Sequence, residues 1–222
     1  MRLYKLSNKL VIRVKRNACE FLKGYTSNVL QAPRNAFLDL HGKIVAVFDQ
    51  KVLSADEVLI VIERQFFERL KNHLDKFLKL GDTILEPTDY NIYFDLEGNY
   101  QPKEDEFVTP LLIITNKELP VDISDQDFTL FRLKNNIPLQ GVDYDEELLL
   151  NVADEEFISY TKGCYLGQEI IARVHYRSNP PKKLVVKSED ECAPEEKGRM
   201  TSKTPDPRTW KTIGFVFVVN SN

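Results

Sequence analysis

The residues best suited to chemistry lie in one octet, 162–169, which reads KGCYLGQE. It combines a lysine, a single cysteine two residues later, two glycines and a terminal Gln-Glu pair. Gln168 and Glu169 open a stretch of good helix formers, so a helix is predicted to begin just after Gly167. The positive end of that helix and the ammonium of Lys162 both favour a thiolate at Cys164. The octet therefore makes Cys164 a candidate reactive thiol.

The same octet has a plain structural interpretation. Free cysteines are most often small buried hydrophobes, and glycines usually mark a loop. Glu169 and Arg173 are four residues apart, so on a helix they can form an ion pair without any further role. Arg173, His175 and Arg177 add positive charge near Cys164, which suits an anionic group and a solvated helix face equally. The residues alone leave a reactive site and a structural loop open as alternatives.

The elements that must position the octet are a mixture of strands and helices, which predicts an α+β fold. Strands are predicted at 10–14, 36–53 (a hairpin turning at His41–Gly42), 57–62, 83–85, 91–96 and 111–115. Helices are predicted near Ala18 after an Asn17 cap, at 64–80, and at 125–135 after a Ser124 or Asp125 cap. The acidic, leucine-rich segment 143–156 predicts a helix followed by a loop.

The chain changes character beyond Pro180. A Pro-Pro pair breaks it there, and the short apolar runs LVV and IGFVFVV then alternate with polar, proline-containing loops. This pattern predicts a small β appendage at 181–222 that follows a larger α+β unit at 1–180.

Composition excludes several classes of protein. Of the 222 residues, 42% are hydrophobic and 29% charged, which is ordinary for a globular protein. The formal net charge of -4 does not indicate nucleic-acid binding. Three dispersed cysteines form neither a disulfide framework nor a CxxC metal site, which indicates a reducing compartment. No apolar run approaches the length of a membrane span or a signal-peptide core, so a cytoplasmic protein without a membrane partner is expected.

The octet resembles the signature K-G-C-aromatic-x-G-Q-E of the YgfZ family of folate-binding proteins. These proteins are relatives of the glycine-cleavage T-protein, an aminomethyltransferase, and are linked to iron–sulfur protein maintenance and to tRNA modification. The resemblance extends to RNACEFLKGYTSNVL, to LDLHGKIVAVF around Gly42, and to FRLKNNIPLQGVDYDEE. The residues that match the octet's pattern are Lys162, Gly163, Cys164, Tyr165, Gly167, Gln168 and Glu169.

The resemblance implies a fold and a site. The fold has two intertwined α+β subdomains around a central channel, which holds tetrahydrofolate in relatives, and a C-terminal β-barrel-like domain that is shortened here. Cys164 and Lys162 are the expected functional pair, with Gly163, Tyr165, Gly167, Gln168 and Glu169 as support. A folate needs aromatic walls and basic groups for its glutamate tail. The expected folate contacts are Arg132, Tyr90 and Arg173.

Two departures from the T-protein pattern bear on function. A glutamate that contacts the pterin ring stands two residues after the matched arginine in T-proteins, and Lys134 occupies that position here. The aspartate pair that follows the hairpin glycine is replaced by Ala46 and Val47, so aminomethyl transfer in the T-protein manner is expected to be absent. Asp49 lies nearby but out of register, and a role at a turn or strand edge is expected for it.

The leading hypothesis is a folate-binding accessory protein that supports assembly or repair of iron–sulfur proteins. One cysteine cannot hold a cluster alone, so Cys164 would supply one ligand to a transient cluster or act as a redox or sulfur-accepting thiol. The expected partners are folate, iron–sulfur proteins or their assembly factors, and tRNA-modifying enzymes. The alternatives are a folate-dependent one-carbon transferase and a non-catalytic scaffold that has lost its ligand.

Overall fold

The computed structural model describes residues 2–152 and 155–220. Within them the chain is a mixed α+β protein, as the sequence predicts. The strands are β1 Leu3–Lys5, β2 Lys9–Lys15, β3 Arg34–Leu38, β4 Ile44–Ser54, β5 Glu57–Glu63, β6 Ile84–Pro87, β7 Asn91–Asp95, β8 Phe107–Val108, β9 Leu112–Thr115, β10 Lys182–Ser188, β11 Thr201–Pro205 and β12 Thr212–Val219. The helices are α1 Ala18–Tyr25, α2 Phe67–Leu80, α3 Asp125–Lys134, α4 Leu149–Val152, α5 Gln168–Arg177 and α6 Pro194–Arg199.

The main sheet has the strand order β3-β4-β5-β2-β6, with antiparallel neighbours. Helices α1 and α2 cover one face, where apolar side chains of both helices pack on those of β2, β4 and β5. The other face packs on the second sheet, of order β1-β7-β9-β8. Since β5 is covered on both sides, its apolar run EVLIVI is continuous rather than alternating, and its predicted central place is confirmed.

The C-terminal sheet, of order β10-β12-β11, forms the β appendage predicted beyond Pro180. Leu184 and Phe215 pack against Leu133 of α3, and the side chains of Thr201 and Ser202 hydrogen-bond to a buried ion pair beside that helix. The appendage therefore joins the rest of the chain through an apolar contact and a polar one. The predicted segments 1–180 and 181–222 include residues 1, 153, 154, 221 and 222, which lie outside the described part of the chain.

The N-termini of three helices test the predicted caps and helix starts. Ser124 caps α3, since its side chain accepts a hydrogen bond from the Asp127 amide at 3.1 Å. Asn17 precedes α1 in a left-handed conformation, and its side-chain amide donates to the Gly81 carbonyl instead of accepting from α1. The predicted start at residue 64 is wrong for α2, because Arg64–Phe66 form a separate 3-10 helix.

Segment 143–156 is less helical than predicted. Its described residues hold only the short helix α4, preceded by loop and followed by the start of a 3-10 helix at Glu155–Phe157. Residues 153 and 154 of the prediction lie outside the described part of the chain. Tyr144, Leu148 and Val152 pack with the hairpin formed by β3 and β4, so tertiary contacts hold this segment in place of a long helix.

Candidate functional site

The octet lies against the hairpin that joins β3 and β4. Gly167 precedes α5 with φ of 83°, and α5 begins at Gln168 as predicted. A Cβ atom at Gly167 would lie 2.4 Å from the Asp39 carbonyl oxygen and 3.1 Å from Leu38 Cβ. This glycine is required by its backbone angle and by the close approach of the hairpin. Gly163 has neither restriction, since a Cβ there would meet open space.

Cys164 is exposed at a pocket of about 360 Å³. The other two thiols differ from it, since Cys19 is half-buried and Cys192 is buried, and burial raises the pKa of both. We call this cavity the thiol pocket. Its described lining residues are Glu20, Lys23, Gly24, Val29, Leu30, Gln31, Lys162, Gly163 and Cys164.

Lys162 lines the thiol pocket together with Cys164, but its amine is held by two backbone carbonyls. Its Nζ donates hydrogen bonds to the Thr26 carbonyl at 2.6 Å and to the Asn28 carbonyl at 2.9 Å. Burial lowers the pKa of Lys162 to about 8. Lys162 therefore anchors the octet to the segment after α1, and its predicted action on the thiol remains a prediction.

The remaining octet residues divide into buried and exposed ones. The Tyr165 side chain is buried in a cluster with Ile171 of α5, and burial raises the pKa of Tyr165. Gln168 accepts a long hydrogen bond from the Tyr165 amide at 3.4 Å, which braces the turn. Glu169 and Arg173 are both exposed, and within the described residues they form no ion pair with each other.

A second, larger cavity of about 800 Å³ lies between the main sheet, the second sheet and the segment 135–140. We call it the central cavity. Its volume falls in the range of small-molecule sites. Apolar and aromatic side chains supply much of its lining, and they include Leu6, Val47, Phe94, Leu112, Phe128, Ile137 and Phe157. Polar and charged side chains also line it, and they include Lys9, Arg34, Asp49, Glu63, Gln140, Tyr144 and Glu156.

The charges in the central cavity are paired. Lys9 Nζ lies 3.0 Å from Glu63, with side chains only 12% and 10% exposed. Arg34 contacts Glu156 at 2.8 Å through a terminal nitrogen, and its Nε lies 3.5 Å from Asp49. Since each cation has a carboxylate nearby, the cavity offers acceptors and donors without a large net charge.

Tyr144 is one of several neutral polar residues that line the central cavity. Burial raises its pKa, and the nearby Asp143 and Glu63 carboxylates add to that rise. None of the described residues forms a hydrogen bond with the hydroxyl of Tyr144.

The three residues predicted to contact folate lie outside the lining of the central cavity. Arg132 is only 4% exposed, and its guanidinium pairs with Asp143 at 2.8 Å and donates to Ser202 at 2.9 Å. A buried guanidinium needs such partners, so its place in the motif reflects packing next to the C-terminal sheet. The hydroxyl of Tyr90 accepts a hydrogen bond from Arg13 at 3.1 Å, and Arg173 is on the exposed side of α5.

Lys134 is also turned away from the central cavity. Its ammonium lies 3.1 Å from the Asp206 carboxylate, in the loop between β11 and β12. The Lys134 side chain thus contacts the C-terminal sheet.

Sequence reasoning missed the cavity side of β4. Ala46 is buried in the core under α1 and α2, whereas Val47 lines the central cavity. Asp49 lines it too, opposite Arg34 on β3. Alternate residues of a strand point to one face, so residues 47 and 49 share a face. The two-residue repeat of a strand could have predicted this, because it places the Asp49 carboxylate on the same face as Val47.

Within the described residues, no group of three or more His, Cys, Asp and Glu side chains is arranged to hold a metal ion. None of the described helices combines the length and apolarity that a bilayer crossing requires.

The fold is similar to that of a known enzyme. The crystal structure of glycine cleavage system aminomethyltransferase T from Bartonella henselae superposes with a TM-score of 0.72 and 15% sequence identity. The match covers 98% of this chain and 78% of that one. This likeness shows the fold and confirms the predicted T-protein-like α+β architecture.

Sequence comparison gives a distant relative. No protein-family model matches the chain. An uncharacterized protein from Haemophilus influenzae is 24% identical, over 72% of this chain and 64% of that protein. The chain therefore spans less than two thirds of the length of this curated relative.

Proposed function

We propose that this protein binds a reduced folate in the central cavity and supports assembly or repair of iron–sulfur proteins through Cys164. The observation that carries the proposal is the central cavity itself, about 800 Å³ with aromatic walls and paired charges, in a T-protein-like fold. Further support comes from the exposed Cys164 on a separate pocket, in an octet that resembles the YgfZ signature.

The chemistry of the central cavity suits the three parts of a folate. A pterin ring presents N–H donors, for which Asp49 and Glu63 supply acceptors. A benzoyl group stacks or packs on aromatic walls such as Phe157. A glutamate tail seeks cations, and Lys9 and Arg34 are the cations that line this cavity among the described residues.

The thiol would act outside the folate site. Cys164 is open to solvent, so a partner protein can reach it without entering the central cavity. One thiolate is an incomplete set of cluster ligands, so a transient cluster takes its other ligands from the client or from an assembly factor. Clients of this kind include iron–sulfur enzymes that modify tRNA.

The proposal is tested by anaerobic calorimetry with tetrahydrofolate on the wild type and on Cys164→Ser. Both are expected to bind with micromolar dissociation constants, because the thiol lines a different pocket from the ligand. In cells that depend on this protein, Cys164→Ser is expected to lower iron–sulfur enzyme activities. Absence of tetrahydrofolate binding by the wild type contradicts the folate part. Full client activity with Cys164→Ser contradicts the thiol part.

A folate-dependent one-carbon transferase is the second candidate, and Asp49 is the observation that favours it. Ala46 and Val47 carry no carboxylate, but Asp49 places one on the same side of β4 as Val47. Incubation of the protein with an aminomethyl donor and tetrahydrofolate tests this candidate function. Formation of methylene-tetrahydrofolate supports a transferase, and its absence contradicts one.

A further inference from the structure

Strand β4 alternates between buried and partly exposed side chains over residues 46–50. Ala46, Phe48 and Gln50 are buried, whereas Val47 and Asp49 are partly exposed. Val47, Phe48 and Asp49 line the cavity. Asp49 therefore lies within a strand and lines the cavity, rather than standing at a turn. The expected role of Asp49 at a turn or strand edge is therefore corrected by its position within β4.

The carboxylate of Asp49 retains unused acceptor sites. Its nearest cation is Arg34, directly opposite on β3, but the Nε to Oδ1 distance of 3.5 Å is too long for a good hydrogen bond. Arg34 makes its shorter contact with Glu156, at 2.8 Å. No described side chain donates a hydrogen bond to the Asp49 carboxylate, although its side chain is only 17% exposed. A carboxylate offers about four lone-pair sites, and a largely covered one needs donors.

The other acids near the cavity are engaged more closely. Glu63 is held by Lys9 at 3.0 Å and Glu156 by Arg34 at 2.8 Å. Lys134 on α3 brings an ammonium in place of an acid and pairs with Asp206. Asp49 is thus the lining carboxylate with the weakest protein contacts, and the Tyr144 hydroxyl is a second lining group without a described partner.

We infer that Asp49 is the specificity-determining residue of the central cavity and accepts hydrogen bonds from the donor edge of a 2-aminopyrimidine-type ring. Adjacent ring N–H and amino groups match the two oxygens of one carboxylate. Tyr144 adds a neutral hydroxyl contact to the same ligand. This inference rests on the proposed folate function. It assigns to Asp49 on β4 the pterin contact that Lys134 on α3 does not supply.

The test compares tetrahydrofolate, free pterin and p-aminobenzoyl-glutamate, which lacks the ring, by calorimetry. Asp49→Asn keeps the size of the side chain but replaces one acceptor oxygen with a donor. We expect it to lower affinity for tetrahydrofolate and pterin by about 10- to 100-fold, as for loss of a charged hydrogen bond. Affinity for p-aminobenzoyl-glutamate should stay within about twofold. Asp75→Asn is the matched control, because it makes the same change at an exposed position of α2 that does not line the cavity, and it should retain pterin affinity.

A second variant keeps the inference testable if Asp49→Asn fails to fold. Tyr144→Phe removes a hydroxyl that no described residue contacts, so the fold is retained, and pterin affinity should fall by about 2- to 10-fold. If the wild type binds tetrahydrofolate and both variants bind it equally well, the inference is overturned and the folate function stands. If the wild type binds neither tetrahydrofolate nor pterin, the proposed function fails and the inference with it. Equal losses for pterin and p-aminobenzoyl-glutamate also overturn the assignment to the ring.

Discussion

The buried ion pair between Arg132 and Asp143 should carry a large share of the stability of this fold. The Asp143 side chain is 0% exposed and that of Arg132 4%. One oxygen of Asp143 accepts from Arg132 at 2.8 Å and from the Leu139 amide at 2.8 Å. The other accepts from Thr201 at 2.8 Å and Ser202 at 2.6 Å. Asp143→Ala removes these acceptors together and leaves a guanidinium buried without its carboxylate.

Breaking a buried pair from one side costs about 3–5 kcal/mol. Folded domains are stable by only about 5–15 kcal/mol, so the loss is a large fraction of the total. For a chain of this size each kcal/mol lowers the melting temperature by about 2–4 °C, which predicts a fall of about 6–20 °C. Urea denaturation and thermal melting followed by circular dichroism measure both quantities. Since Asp143 joins α3 to β11, the C-terminal sheet should also lose protection in hydrogen exchange.

The control is Asp75→Ala, which breaks an exposed pair with Lys79 on α2 at 2.7 Å. Exposed pairs contribute about 0–1 kcal/mol, so this variant should resemble the wild type. The double variant Arg132→Met, Asp143→Leu should be more stable than Asp143→Ala, because it removes the buried charge as well as its partner. A loss below about 1 kcal/mol in Asp143→Ala refutes the reasoning from burial.

Two further predictions concern the octet. Burial lowers the pKa of Lys162 to about 8, below its ordinary 10.5, so between these pH values the unfolded chain binds the proton more tightly. Stability should therefore rise with pH from about 8 to 10.5, and Lys162→Met should flatten that rise in urea midpoints measured across the range. Gly167→Ala should cost at least about 1–3 kcal/mol from its left-handed backbone, whereas Gly163→Ala should stay within about 0.5 kcal/mol in the same unfolding assay.

Local patterns in the sequence predict much of the fold. The apolar period of α2, the continuous run of β5 and the turn at Gly42 depend on neighbours within a few residues, and each is found where expected. The start of α5 is predicted for the same reason, since Gly167 and the helix formers after it are adjacent. Segment 143–156 differs because its packing on a distant hairpin, not its composition, decides its conformation.

Local sequence patterns predict less of the candidate site than of the fold. The motif predicts a folate contact for Arg132, but its partner Ser202 lies on a strand about seventy residues away, which no local pattern indicates. For Asp49 the sequence predicts only a role at a turn or strand edge, because its register differs from that of the T-protein aspartates. Its role depends on which face of β4 meets the second sheet across a cavity, and that is a property of tertiary structure.

The segment 26–34 separates the two cavities, and this gives it a thermodynamic consequence. On one side its Thr26 and Asn28 carbonyls bind the amine of Lys162, a residue that lines the thiol pocket. On the other side Asn28 and Arg34 line the central cavity. A ligand that rearranges the segment from either side changes the free energy of binding on the other. Coupling free energies are reciprocal. A folate that changes what binds at Cys164 must therefore itself be held with an affinity that depends on what the thiol carries.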